Sequence, residues 1–289
     1  MTDKNTAKAV NVIGKFCGLR DVDQLARSAL LEKYGFEQAD VFVLFGGSIL
    51  AGGDILAQAI KDNISKTYVI VGGAGHTTET FRQRVHSEYP EIETAGLSEA
   101  EIFQRYLQQV YGCKADYLET QSTNCGNNIT NLLDLLCEKN IMWKSIILCQ
   151  DASMQNRMDA GLRKYAPADT IIINYASYRA HVTWNGEKLE YTESIHGMWD
   201  MERYVNLLMG EIPRLTDDCN GYGPAGKGYI AHVDVPDDVR LAFEDLQADF
   251  GYLSGKQIPC LHLAVEFQII TVLTPTGRGY NFDSNNSSL

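Results

Sequence analysis

"DVFVLFGGS", residues 40–48, decides how the rest of the chain is read. Five consecutive apolar residues, Val41 to Phe45, show no alternation and stop at two glycines. A strand open to water on one face alternates apolar and polar residues, whereas a strand buried on both faces reads as one continuous run. The run therefore predicts a central strand of a parallel sheet, with the glycines turning the chain at its carboxyl end.

The same grammar recurs along the chain. "TYVIVGGAGHTT" predicts a strand over 67–71 followed by a glycine turn, "SIILCQD" one over 145–149 ending in a polar pair, and "TIIINYA" one over 170–174. A short strand is expected over 117–119. Between the runs lie helical stripes, Ile102, Phe103, Tyr106, Leu107 and Val110 on one and Ile129, Leu132, Leu133 and Leu136 on another. Strands alternating with helices imply parallel βαβ units, so the expected class is α/β: a Rossmann-like three-layer sandwich with a mainly parallel sheet and helices on both faces.

Outward from this core, residues 1–35 read as N-terminal helices packing on it. The second, "DVDQLARSALLEKYG", carries Leu25, Ala29 and Leu30 on one stripe and ends in Gly35. The α/β domain takes 36–175. Residues 176–250 read as a hairpin, with an Asn185-Gly186 turn, and a mostly helical C-terminal cap. The segment 251–289 shows one β-prone run and ends in "SNNSSL", which predicts a weakly structured tail.

Composition narrows the function classes. A net charge of −12 excludes a sequence-independent nucleic-acid binder, which needs a basic face for phosphates. The seven cysteines form no CxxC pair and follow no secretory signal, which predicts reduced thiols in a cytoplasmic protein. Cys113, Cys125, Cys137 and Cys149 are evenly spaced, but their flanks do not repeat, and no metal site is expected. "LHLAVEFQIITVL", residues 261–273, is interrupted by His262, Glu266 and Gln268 and is too short for a membrane span.

In an open parallel sheet, ligands bind beyond the carboxyl ends of the strands. That edge collects Gly46, Gly47 and Ser48 after the first strand, Gly73, Gly75 and His76 after the second, Ser122, Thr123, Asn124 and Asn127 after the third, and Gln150 and Asp151 after the fourth. Glycines admit close backbone approach and helix starts offer free N–H groups, which suits phosphate, carboxylate or ribose. In "QSTNCGNNIT", residues 121–130, Ser122 or Thr123 suffices as a helix cap, and the surplus asparagines point to a ligand. Ser98 and Glu101 have the spacing of a capping box, which leaves Glu99 unused. Ser153 is expected to cap the helix after Asp151. For Asp151 itself a ribose contact, a general base and a capping role all remain open, and for Arg157 an anion at the edge or an ordinary intrahelical contact. His76 is the titrating group there if chemistry occurs. No GxxxxGK[ST], complete dinucleotide fingerprint or GxSxG elbow is present.

"STNCGNN", "QDASMQNR", "ERYVNLLMGEIPRLTDDCNGYGP" and "HVDVP" together resemble the SanA/ElyC/YdcF family, over roughly residues 8–250. The resemblance implies a Rossmann-like sheet and, for the soluble YdcF branch, S-adenosylmethionine binding without an established reaction. It adds Glu99, Met154 and Arg157 to the matching loops. Asn128 after Asn127, where relatives often read Gly-Glu-Asn, and Ala152, where relatives have proline, depart from the family pattern. Three functions follow as expectations: a cytoplasmic binder of an adenosyl ligand such as S-adenosylmethionine, with the "NGYGPAGKGY" loop closing over it; a hydrolase or transferase acting on a phosphorylated envelope or metabolite substrate; or a regulatory or scaffold protein. The expected partner is a small molecule, with no nucleic acid and no membrane span; the oligomeric state is left open.

Overall fold

The computed structural model describes residues 4–47, 49–75 and 77–250. Ser48, His76 and the tail 251–289 lie outside the described residues.

Five parallel strands form the central sheet: β1 Ala39–Phe45, β2 Ser65–Val71, β3 Tyr117–Glu119, β4 Ser145–Cys149 and β5 Ile171–Asn174, in the order β3-β2-β1-β4-β5. The protein is thus an α/β Rossmann-like sandwich. β1 is central, bonded to β2 with Val41 opposite Thr67 and to β4 with Val41 opposite Ile146. Val41 to Phe45 are all at most 1% exposed, because helices cover both sides. Each such side chain contributes roughly 1.5–3 kcal/mol of transfer free energy. The chain winds outward from β1 through β2 to β3, then returns to β4 on the other side. Strand order therefore reverses between β1 and β4, which is where open α/β sheets bind ligands.

Two helical layers follow from the alternation of side chains along each strand. Phe42 and Leu44 face one way, into a cluster with Leu56, Phe81, Phe103 and Tyr106 from α3 (Ala51–Lys61), α4 (Thr78–Glu88) and α5 (Glu99–Tyr106). Leu30 of α2 (Arg27–Tyr34) joins this layer. Val41, Val43 and Phe45 face the other way, against Ile129 and Leu132 of α6 (Cys125–Glu138) and Met158 and Leu162 of α7 (Gln155–Tyr165). After α5 the helix widens into a π-helical turn over Leu107–Tyr111, which leaves Val110 39% exposed although its spacing predicted burial.

A third apolar cluster joins α1 (Lys4–Cys17) to the hairpin β6 Val182–Trp184 and β7 Leu189–Tyr191, and to α8 (Met201–Leu215) and α9 (Asp237–Phe250). Val10 and Ile13 of α1 are fully buried in it beside Tyr204, Leu208 and Leu246. The two N-terminal helices thus belong to different clusters, α1 to that of the cap and α2 to that of the sheet. The second helix is shorter than predicted: residues 21–26 are irregular because Asp21 is used elsewhere, its carboxylate accepting from Asn174 N–H and its N–H donating to the Asn174 carbonyl. Its end at Gly35 is as expected, with φ +79° and the Gly35 N–H on the Leu31 carbonyl.

Among the described residues no helix is long and apolar enough to cross a membrane. The six described cysteines are free.

Candidate functional site at the carboxyl edge of the sheet

The glycines after β1 and β2 are required by neighbouring protein. A Cβ on Gly46 would stand 2.6 Å from Glu99 Oε2 and 3.1 Å from the Gly72 Cα, and one on Gly73 only 2.0 Å from the Ser122 carbonyl oxygen. These residues close the edge by letting three loops touch one another. Gly47 and Gly75 are different, since a Cβ there would come no nearer than 3.2 and 3.4 Å to any atom. The expectation that the glycines admit a ligand therefore narrows to these two.

Glu99 lies where those loops meet. It begins α5, which Ser98 and Glu101 cap reciprocally as their spacing predicts. The Glu99 N–H donates to the Gly73 carbonyl (3.0 Å), and Thr78 Oγ1 donates to Glu99 Oε1 (2.9 Å). Burial pushes the Glu99 carboxyl above its ordinary value, against the opposing pull of the Thr78 and Thr77 hydroxyls.

The start of α6 corrects the expected capping. Asn124, not Ser122 or Thr123, is the N-cap: its Oδ1 accepts from Gly126 N–H (2.9 Å) and Asn127 N–H (3.0 Å). Asn127 Oδ1 returns the favour by accepting from Asn124 N–H (2.9 Å) and Thr123 N–H (3.0 Å). Asparagine serves at both ends because its amide oxygen accepts as a carboxylate does, without the charge. The surplus of asparagines is thus largely capping. Ser122 is buried and accepts the Gly73 N–H on its Oγ (3.0 Å), which ties β2's loop to β3's. Among the described residues the Asn124 Nδ2 amide and the Gly47 N–H have no hydrogen-bond partner, so both can serve a ligand.

Gln150, just after β4, bridges the two halves of the sheet. Its Nε2 donates to the Gly46 carbonyl (3.2 Å) and its Oε1 accepts from Asp151 N–H (2.6 Å). Asp151 Oδ1 accepts from the Ser153 N–H and hydroxyl (both 2.8 Å) and from the Tyr178 hydroxyl (2.7 Å), and Oδ2 accepts from Trp199 Nε1–H (2.8 Å). Burial and then the Asp151 carboxylate push the Tyr178 phenol well above its ordinary value, which keeps it a donor. Ser153 therefore serves Asp151 and does not cap α7, whose N-cap is Met154 without a side-chain bond. Met154 is half-buried, with its N–H on the Asp151 carbonyl.

Arg157 is engaged by a carboxylate of the protein itself. Its Nε and Nη2 form a two-pronged pair with Glu211 of α8 (2.6 and 3.0 Å), with both side chains largely buried. Arg82 donates to the Leu97 carbonyl and pairs with Glu79, and Arg84 donates to the Gly197 carbonyl and lies over the Trp199 ring. Glu119, at the end of β3, is 7% exposed; its Oε1 accepts from three donors, while its buried Oε2 has none.

The "NGYGPAGKGY" loop, expected to close over the edge, is tied instead to α8 and α7: Tyr222 N–H donates to the Arg214 carbonyl and Lys164 Nζ to the Gly228 carbonyl. Tyr178, Trp199 and Glu119 are the edge residues that sequence reasoning missed. No family model matches the chain. Among the described residues, no group of three or more histidine, cysteine or acidic side chains is placed to hold a metal ion.

Proposed function

We propose that the protein is a cytoplasmic small-molecule binder whose site is the crevice between the ends of β1 and β4, and that its ligand is of the adenosyl class, S-adenosylmethionine in particular. One observation carries this reading. The edge holds three carboxylates at most 9% exposed, Glu99, Glu119 and Asp151, while Arg82, Arg84 and Arg157 are engaged with protein oxygens. Acids so placed favour positive charge at the edge and disfavour phosphate, which calls for free cationic donors. An adenosyl sulfonium ligand has ribose hydroxyls, an ammonium and a positive sulfur for the carboxylates. It has one carboxylate, for which the Gly47 N–H and the Asn124 amide are the available donors. The sequence resemblance to the SanA/ElyC/YdcF family points to the same ligand, and the same charge argument ranks a phosphorylated substrate lower.

Calorimetric titration with S-adenosylmethionine, S-adenosylhomocysteine, ATP and NAD tests this reading. Saturable binding of the sulfonium compound is expected, weakened at least tenfold by Asn124→Ser, which keeps a capping oxygen and removes the amide, and by Glu99→Gln. Absence of binding, or adenosyl binding that neither substitution moves, refutes it.

A further inference from the structure

A groove of about 1050 Å³ runs between α1 and the β6 hairpin, on the cap side of the edge. Its charge is opposite to that of the molecule. The chain as a whole carries −12, yet Lys4, Lys8, Lys15, Arg20 and Arg179 line the groove against a single acid, Asp23. Two of these cations are occupied: Arg179 pairs with Asp23 (3.0 Å), and Arg20 donates to the Ala176 carbonyl and lies over the Tyr175 ring. The three lysines are exposed and have no partner among the described residues. Their spacing of four and seven residues places them within about 40° of one another around the helix, a stripe some 16 Å long.

The walls are rigid enough to hold this stripe in place. Asn11 donates from Nδ2 to the Val182 carbonyl and accepts Val182 N–H on Oδ1, both 2.8 Å, so one amide fixes β6 against α1 as a paired strand would. Trp184 supplies a partly buried aromatic face. Like charges in a row cost energy in the empty protein, and nothing in the packing of α1 needs them, since its buried face is Val10 and Ile13.

We infer that this groove is a second binding site, for a small molecule carrying several phosphate groups. The volume is that of an ordinary ligand pocket and exceeds a single phosphate. Its chemistry is the reverse of the edge site, so the two sites select different ligands and this inference stands apart from the adenosyl reading. They adjoin through Ala152 and Tyr178, which border the groove while Tyr178 holds Asp151.

The test is calorimetric titration of the full chain with inorganic tripolyphosphate at low salt, beside inorganic phosphate and poly-L-glutamate. Tripolyphosphate is expected to bind, more weakly as salt rises, and Lys4→Glu/Lys8→Glu/Lys15→Glu is expected to weaken it about eightfold or more, taking each exposed contact as worth a factor of roughly two to five. A reversal at Lys61, Lys114 and Lys139, which alters net charge equally, is expected to leave binding within about twofold. Lys8→Gln alone, expected to cost about two- to threefold, serves if the triple variant fails to fold. No binding by the natural sequence, equal loss in the two triple variants, or binding of poly-L-glutamate without tripolyphosphate overturns the inference, the last result pointing to an acidic peptide.

Discussion

Breaking the Arg157–Glu211 pair tests whether Arg157 is part of the architecture or of the ligand site. The two prongs measure 2.6 and 3.0 Å, and the side chains are 12% and 4% exposed, so both charges have left water for each other. Removing one partner from such a pair costs about 3–5 kcal/mol, because the other remains buried without compensation. The two halves are not equivalent. Glu211 also meets Arg214 Nη1 at 3.3 Å, so after Arg157→Met it keeps one cation, and the cost is expected near the lower figure. Glu211→Leu leaves Arg157 with no carboxylate and is expected near the upper one. Arg157→Met/Glu211→Leu replaces both by apolar groups and is expected to recover most of the loss, with a coupling of about 2 kcal/mol or more. Urea unfolding followed by tryptophan fluorescence and by far-ultraviolet circular dichroism measures these differences, and coincident curves license a two-state reading. A loss under about 1 kcal/mol for either single variant, as for an exposed pair, or strict additivity in the double, would refute the reasoning. Retained adenosyl binding in a stable double variant separates the structural role from a ligand contact.

Gly73→Ala would drive a Cβ to 2.0 Å from the Ser122 carbonyl, backbone against backbone, so a loss of at least about 3 kcal/mol is expected in thermal or urea unfolding; a well-folded variant would count against the loop packing described. Trp199→Phe leaves Asp151 Oδ2 without its donor and is expected to cost about 1–3 kcal/mol. Burial lowers the His196 imidazole, but hydrogen bonds to Asp54 (2.8 Å) and Glu88 (2.7 Å) outweigh it and raise its pKa, with the Tyr89 and Tyr106 rings as its other neighbours. A raised folded value means that the stabilisation is fully present below the unfolded value of about 6.5 and is lost as pH rises through the folded one. The stability gap between the natural sequence and His196→Gln is therefore expected to be larger at pH 5.5 than at pH 9, and a gap independent of pH contradicts this. For Glu99 the raised value likewise makes the folded state more favourable when the carboxyl is protonated, so Glu99→Gln, which keeps an acceptor for Thr78, is expected to gain relative stability as pH rises above the carboxylate range.

Where burial alone sets the pattern, the sequence sufficed. The runs at 145–149 and 170–174 appear as strands at or within a residue of the expected limits, and the run at 41–45 lies inside a strand that starts two residues earlier, because a strand covered on both faces has to be apolar along its buried length. The reciprocal cap of Ser98 and Glu101 was legible for a similar reason, since both partners lie within one turn. The site was less legible because its contacts are distant in sequence: Tyr178 and Trp199 reach Asp151 from 27 and 48 residues away, and Glu211 reaches Arg157 from 54. Nor does a glycine announce what lies opposite its missing Cβ. Gly73 and Gly47 read alike in the sequence, yet a Cβ on one would strike the Ser122 carbonyl at 2.0 Å and on the other would come no nearer than 3.2 Å, to Gln150 Oε1. Asparagine hid its role in the same way, because an amide that caps a helix and one that binds a ligand are the same letter.

The four bonds converging on Asp151 come from its own turn, from the segment after β5 and from the approach to α8. Trp199, the donor from that approach, is also flanked by Arg84 at 5.2 Å and Arg203 at 5.7 Å. An indole held by one carboxylate and near two guanidinium groups is an optical probe already installed. Any molecule that draws Asp151 toward itself must lengthen the indole's hydrogen bond, and the part of the tryptophan emission that Trp199→Phe removes will record that event without an added label.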